Sequence, residues 1–247
     1  MNPPGREPRD FDEVFRRYAA LPIVGGQAVN LWAEAFVVRE PRLGEFVPFL
    51  SKDADLFGHR LALDAAAPPP PGWIITHFSD VRQSAVALLT KTHADGGELR
   101  VEVMRAVYGV SEKDLADAQQ VEVTPNHIYR LPSPLRLLKA KIANTHDLTQ
   151  RERPQDLKHV RMLVLICGPF LRDMHASVLA GSTPERSLTN ALNELHALLA
   201  SPKARAVATK HRVDFTPALP LDLATVSLPK LAAFYANLDR APRRGRR

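Results

Sequence analysis

The chain has 247 residues, 45% of them hydrophobic and 24% charged, with a net charge of +6. That length supports a full-sized core in one large domain or two modest ones, and the composition is ordinary for a soluble globular protein. No apolar stretch reaches the roughly 20 residues of a membrane-spanning helix. The polar residues 1–6 lack the apolar core of a signal peptide, and the single cysteine, Cys167, permits no internal disulfide. The expectation is a cytoplasmic protein without a membrane partner.

In chain order, residues 10–20 have helical spacing, with Phe11, Val14, Phe15, Tyr18 and Ala19 in one apolar stripe. Residues 21–24 form a short extended run stopped by Gly25-Gly26. Residues 27–38 read as a helix with Ala28, Leu31, Trp32, Ala35 and Phe36 on its apolar side. The stretch 46–57 carries a strand with Asp53-x-Asp55. Residues 65–72, with four consecutive prolines, make a stiff, extended and exposed loop. Residues 80–89 predict another amphipathic helix, 95–98 a turn and 99–103 an alternating strand. Ser111-x-x-Asp114 is an N-cap signature, and 121–124 reads as the last strand, ended by Pro125.

From Pro134 onward the pattern is helical, over 135–148, 155–165 and 184–211. The last is broken at Ser201-Pro202, and Ser182-x-x-Glu185 caps its start. The fold class is therefore α+β: a mixed sheet flanked by helices, then an all-helical C-terminal domain. The expected domains are 1–132 and 133–239, with a basic, disordered tail at 240–247.

That tail accounts for most of the charge. Without Arg240, Arg243, Arg244, Arg246 and Arg247, 28 positive charges face 27 negative ones. A second basic zone at 130–161 has eight Lys or Arg against Asp147, Glu152 and Asp156, and is the better candidate for contact with polyphosphate or RNA backbone.

One constellation points to a chemistry. Residues two apart on a strand share a face, so Asp53 and Asp55 would project together while Ala54 and Leu56 pack inward. Two carboxylates on one face can hold Mg²⁺, which prefers oxygen ligands. Such a site supports in-line displacement at phosphorus. Glu102, between Val101 and Val103, is the candidate third acid. The bend at Gly25-Gly26 lets backbone approach a phosphate, and the following helix aims its first amides there.

Gly25-Gly26, Asp53-x-Asp55 and Val101-Glu102-Val103 resemble the nucleotidyltransferase fold of the DNA polymerase β superfamily. Residues 134–142, and Arg151-x-Arg153-Pro154-x-Asp156-Leu157, resemble its abortive-infection, AbiEii-type toxin branch. The resemblance spans roughly residues 20–165. It implies a nucleotidyltransferase-like domain in which Gly25 and Gly26 bind phosphate, and Asp53, Asp55 and Glu102 bind metal. It further implies that Lys141 meets the triphosphate of an NTP substrate, that Arg151 and Arg153 meet phosphate, and that Asp156 is a base or orienting acid. The implied partners are an NTP, a tRNA or other RNA acceptor, and a cognate antitoxin. Three departures stand out: residues 27–52 form a longer spacer than the family pattern, Gly26 replaces a frequent Ser, and Glu102 replaces a frequent Asp.

Two other enzyme or binding readings share this front half: a small-molecule, antibiotic-type nucleotidyltransferase, and a catalytically silent nucleotide- or RNA-binding module. The nine histidines are scattered without zinc-type spacing. His159 and His175 read as surface or satisfied core residues, Trp73 as a packing residue, Lys139 as solvated, and Cys167 as a buried apolar residue.

Overall fold

A computed structural model describes residues 5–66, 68–80, 82–148, 154–225 and 228–240. The fold is α+β, with a mixed five-stranded sheet and helices in the N-terminal half and a mostly helical C-terminal region. It divides into two compact units, Met1–Leu163 and Val164–Arg247. Secondary structure turns helical at Pro134, near the expected boundary at 132, but the next helix and a half belong with the sheet.

The first unit opens with α1 (Asp12–Arg17), β1 (Ile23–Val24) and α2 (Gly25–Phe36). It continues with β2 (Ala54–Phe57), α3 (Arg60–Asp64), β3 (Ile74–His77), β4 (Ala85–Thr92) and β5 (Glu98–Met104). The sheet order is β1-β2-β5-β4-β3. Only β2 and β5 are parallel, with Asp55 opposite Glu102; the other pairs are antiparallel. Alternation explains the faces: Leu99, Val101 and Val103 of β5 are buried, whereas Glu98 and Arg100 are exposed. Helix α2 is buried almost all round, and Gln27 and Trp32 find partners inside, whereas Asn30 Oδ1 has none. The Gln27 amide donates to the Arg6 carbonyl at 3.0 Å, and the Trp32 indole donates to the Pro132 carbonyl at 2.9 Å.

The unit is completed by α4 (Glu112–Ala116), the hairpin β6 (Gln119–Thr124) and β7 (His127–Leu131), α5 (Pro134–Asp147) and the start of α6 (Pro154–Leu179). Ser111 caps α4 in a reciprocal box with Asp114, as the sequence signature predicts. Ser133 caps α5, and Pro134 sits at its first position, where a missing N–H is harmless. In the second unit, α7 (Glu185–Leu199), α8 (Pro202–His211) and α9 (Pro229–Arg240) bury Leu188, Leu192, Leu195, Ala204, Val207, Leu231 and Phe234.

Several elements differ from expectation. Residues 80–89 are not a helix: 85–92 form β4, because the run Ala85-Val86-Ala87-Leu88-Leu89 suits either period and pairing with β5 decides it. β6 is not the last strand, since Asn126, at φ 67°, turns the chain back into β7. Neither β3 nor α9 was expected. Residues 37–48 of the spacer contain a 3₁₀ helix, Pro41–Phe46. Ser182 does not cap α7. Its hydroxyl donates to the Ser177 carbonyl, and Glu185 instead accepts from the first amides of α9, at Lys230 and Leu231.

Helix α6 runs 26 residues through Pro169, well past the expected end at 165. By length and composition it is apolar enough to cross a membrane, with a mean hydropathy of 1.4 over its most apolar stretch. Val160, Met162, Leu163, Val164, Ile166, Cys167 and Leu171 of this helix are buried in the protein. Cys167 is a buried apolar residue, as expected, and burial pushes its thiol well above the usual range. Trp73 packs as expected, its indole donating to Glu13 at 2.7 Å. Residues 241–247 of the basic tail lie outside the described residues.

Candidate functional site

The site begins where β1 runs straight into α2. Gly25 has φ 67°, and a Cβ placed there would lie 2.0 Å from Asp55 Oδ2. Both facts demand glycine, the first by backbone sterics and the second by the close approach of the carboxylate. The N-cap of α2 is Val24, and no side chain caps the helix. Gly26, Gln27 and Ala28 of this first turn are themselves buried. A Cβ on Gly26 would lie 2.2 Å from Ser51 Oγ and 3.0 Å from His159 Cε1. A serine hydroxyl thus stands beside the second glycine, delivered by the approach to β2 and not by residue 26.

β2 begins at Ala54, so Asp53 sits in the bend just before the strand. Ala54 and Leu56 are fully buried, which leaves Asp55 on the opposite face, as the spacing predicts. The register places Asp55 between Val24 of β1 and Glu102 of β5. Asp55 keeps some exposed surface, yet its carboxyl group is closely surrounded by protein. Its pKa is pushed up to about 7, first by burial and then by Asp53, with Glu102 and Asp156 adding to the rise and Lys141 opposing it. One carboxyl group therefore feels all three other predicted acids and the predicted lysine. Glu102 is half-buried, and Arg100 Nη2 stands 4.0 Å from its Oε1.

The other wall comes from α5 and α6. Lys141 Nζ donates to Asp156 Oδ1 at 2.7 Å, and both residues are 8% exposed. Lys139 points elsewhere. It shares Asp114 with Arg136, at 3.1 and 3.0 Å, and so is ion-paired where simple solvation was expected. Arg151 and Arg153 lie outside the described residues.

His159, expected as a surface or satisfied core residue, is a core residue. It is 1% exposed and lies against Gly26. Gln155 Nε2 donates to the Leu50 carbonyl at 2.8 Å and stands 2.9 Å from His159 Nε2. An amide nitrogen has only donors, so Nε2 must accept and the ring proton sits on Nδ1. That buried Nδ1–H has no hydrogen-bond partner. Burial and the Lys141 charge hold the ring neutral, its pKa pushed down to about 3. Only its position one turn beyond Gln155 and Asp156 hinted at this role.

The donor set suits a hard cation. It is all oxygen, and Asp55 has more anionic than cationic neighbours. Among the described residues no three His, Cys, Asp or Glu side chains are grouped closely enough to hold a metal alone. Asp53, Asp55 and Glu102 thus do not by themselves form such a group.

Four described basic residues of the 130–161 zone are engaged within the chain. Arg130 donates to the carbonyls of Ala20, Ala116 and Ala118. Arg136 and Lys139 pair with Asp114, and Lys141 with Asp156.

The chain matches no protein-family model, and no curated protein matches its sequence. The site's geometry is therefore what carries any functional reading.

Proposed function

We propose that this protein is a nucleotidyltransferase of the polymerase β type, with the sheet and its helices as the nucleotidyltransferase-like domain. It moves an NMP group from an NTP to an acceptor hydroxyl. The observation that carries this reading is the setting of Asp55. Its carboxyl group lies against the glycine that opens α2, with Asp53, Glu102, Lys141 and Asp156 as its charged neighbours.

The uncapped start of α2 at Gly25 and Gly26 cradles the outer phosphates, with the Ser51 hydroxyl beside it. Lys141, held in place by Asp156, faces the same charge. Asp156 thereby reads as an orienting acid. Glu102, half-buried and opposite Asp55 on β5, takes the acceptor proton. The acceptor oxygen attacks the α-phosphorus, the bond to the bridging oxygen breaks, and pyrophosphate leaves. Magnesium would be held by Asp53, Asp55 and Glu102 together with phosphate oxygens of the NTP, and would supply positive charge at the reacting phosphate.

The acceptor class follows two lines. The toxin-like resemblance favours a tRNA 3′ end and a cognate antitoxin. The internal pairing of Arg130, Arg136, Lys139 and Lys141 favours a smaller or protein-borne hydroxyl, because those four charges are engaged within the chain. Incubation with labelled NTPs and Mg²⁺, against total RNA, total protein and small aminoglycoside or sugar acceptors, identifies the class. Wild type transfers label, and Asp53→Ala/Asp55→Ala does not. Equal label transfer by both refutes the reading, and nucleotide binding with no transfer to any acceptor supports the silent binding module.

A further inference from the structure

A crevice of about 40 Å³ opens beside the site, in the first unit. One wall is a stripe of α5: Arg136, Leu137, Ala140, Lys141 and Asn144. These positions are spaced one, three, one and three residues apart, which is one face of a helix. Val107, Val110 and Leu115 form the facing wall, and Val24 and Gly25 the rim nearest Asp55. The 105–111 segment is seated tightly on α5, since a Cβ on Gly109 would lie 2.5 Å from Ala143 Cβ.

Two of the lining residues already belong to the site. Gly25 meets Asp55, and Lys141 meets Asp156. A phosphorylated molecule held between those two residues has its remaining part within reach of the crevice. The walls are mostly apolar, as a flat aromatic ring requires. One polar group among them is conspicuous. Asn144 Oδ1 is buried and has no hydrogen-bond partner. Leaving a buried acceptor unmade is unfavourable, and a ligand that brings a donor removes that penalty. The Arg136 guanidinium beside it is engaged with Asp114, so the carboxamide is the group on this wall in want of a partner.

We infer that this crevice is the nucleoside subsite, and that Asn144 selects a base whose 6- or 4-position carries an amino donor, adenine or cytosine, over guanine and uracil, which carry a carbonyl there. The inference rests on the nucleotidyltransferase reading for its phosphate end. The Asn144 carbonyl accepts from the amino group, and the apolar walls sandwich the ring. Uracil carries a carbonyl at the corresponding edge and sets two acceptors against each other. A site built to hydrogen-bond one edge discriminates strongly against a base that leaves its polar group unpaired.

The test is equilibrium binding to the full chain with Mg²⁺. The probes are the four non-hydrolysable NTP analogues and inorganic tripolyphosphate. The ATP or CTP analogue is expected to bind about tenfold tighter than the UTP analogue and than tripolyphosphate. Asn144→Leu, nearly the same volume, removes that preference and leaves tripolyphosphate affinity unchanged. Val110→Trp, on a partly buried loop residue, fills the crevice and weakens every nucleotide without weakening tripolyphosphate. Nucleotides bound no tighter than tripolyphosphate overturn the inference. So does a UTP or GTP preference, or a preference unaltered in both variants. Because binding needs no turnover, base-selective binding without label transfer keeps the crevice and discards the transferase. Transfer indifferent to Asn144 does the reverse.

Discussion

The two compact units bury different chemistry. Among the described residues, every buried polar or charged side chain lies in the first: Arg6, Gln27, Asn30, Ser51, Lys141, Thr145, Asp156 and His159. The second unit is closed by leucines, valines and aromatics on α7, α8 and α9. Buried ions are poor stabilisers, because desolvation offsets their attraction. The helical unit shows that this chain can build a core without them. Of these buried polar side chains, Ser51, His159, Lys141 and Asp156 lie around Gly26 and Asp55, where the proposed chemistry would take place.

Breaking that contrast should have its largest effect at the Lys141–Asp156 pair. Lys141→Met strands a buried carboxylate and is expected to destabilise the protein by about 3–5 kcal/mol. Lys141→Met/Asp156→Leu should recover most of that stability while transfer stays lost, as denaturant unfolding and label transfer together would show. A double variant as unstable as the single one would mean the pair is there to hold the fold. Gly25→Ala comes next. It forces a positive φ on a side chain and drives Cβ into Asp55, at about 1–3 kcal/mol. Its thermal midpoint should fall and its transfer vanish.

Asp55→Asn sharpens the contrast in the other direction. The carboxyl ionises near pH 3.8 when unfolded and near 7 when folded. The folded state thus holds its proton more tightly, and its contribution is complete below pH 3.8 and lost as pH rises through 7. In metal-free buffer the Asn variant should gain thermal midpoint over wild type between pH 5 and pH 8, though it is inactive. No change in that difference across the range would show that Asp55 is not buried as described. The smallest effect belongs to His159. Its ring titrates near 6.5 unfolded and near 3 folded, so wild-type stability declines as pH falls from 6.5 toward 3. His159→Leu should flatten that acid limb, and equal slopes from pH 6.5 to 4 in both proteins would contradict a neutral buried ring.

Much of the first unit was legible from local signals. The Ser111–Asp114 cap acts within a few residues and stands where its pattern implied; Asp55 lies on its strand as expected, but Asp53 falls in the bend before it, and Gly25 and Gly26 open the helix itself. The adjacency of Asp55 and Glu102 followed from treating both as centres of buried strands. Signals failed where long-range pairing decides. Residues 85–89 read equally as helix or strand until β5 is beside them. His159 looked unremarkable because its burial depends on Gly26 and Ser51, more than a hundred residues away in sequence. Ser51 was missed for the same reason: no local pattern shows that its hydroxyl lies beside Gly26. Asn144 carried no signal beyond its place three residues past Lys141.

Parallel pairing of β2 with β5 leaves everything between them as an excursion that returns to its starting point. The turn after α3, at Ala65 and Ala66, lies on that excursion, remote in register from the row containing Asp55 and Glu102. A peptide epitope or fluorescent label spliced there lengthens a surface connection at small entropic penalty. It offers a handle for immobilising the protein or following nucleotide arrival optically without touching either carboxylate.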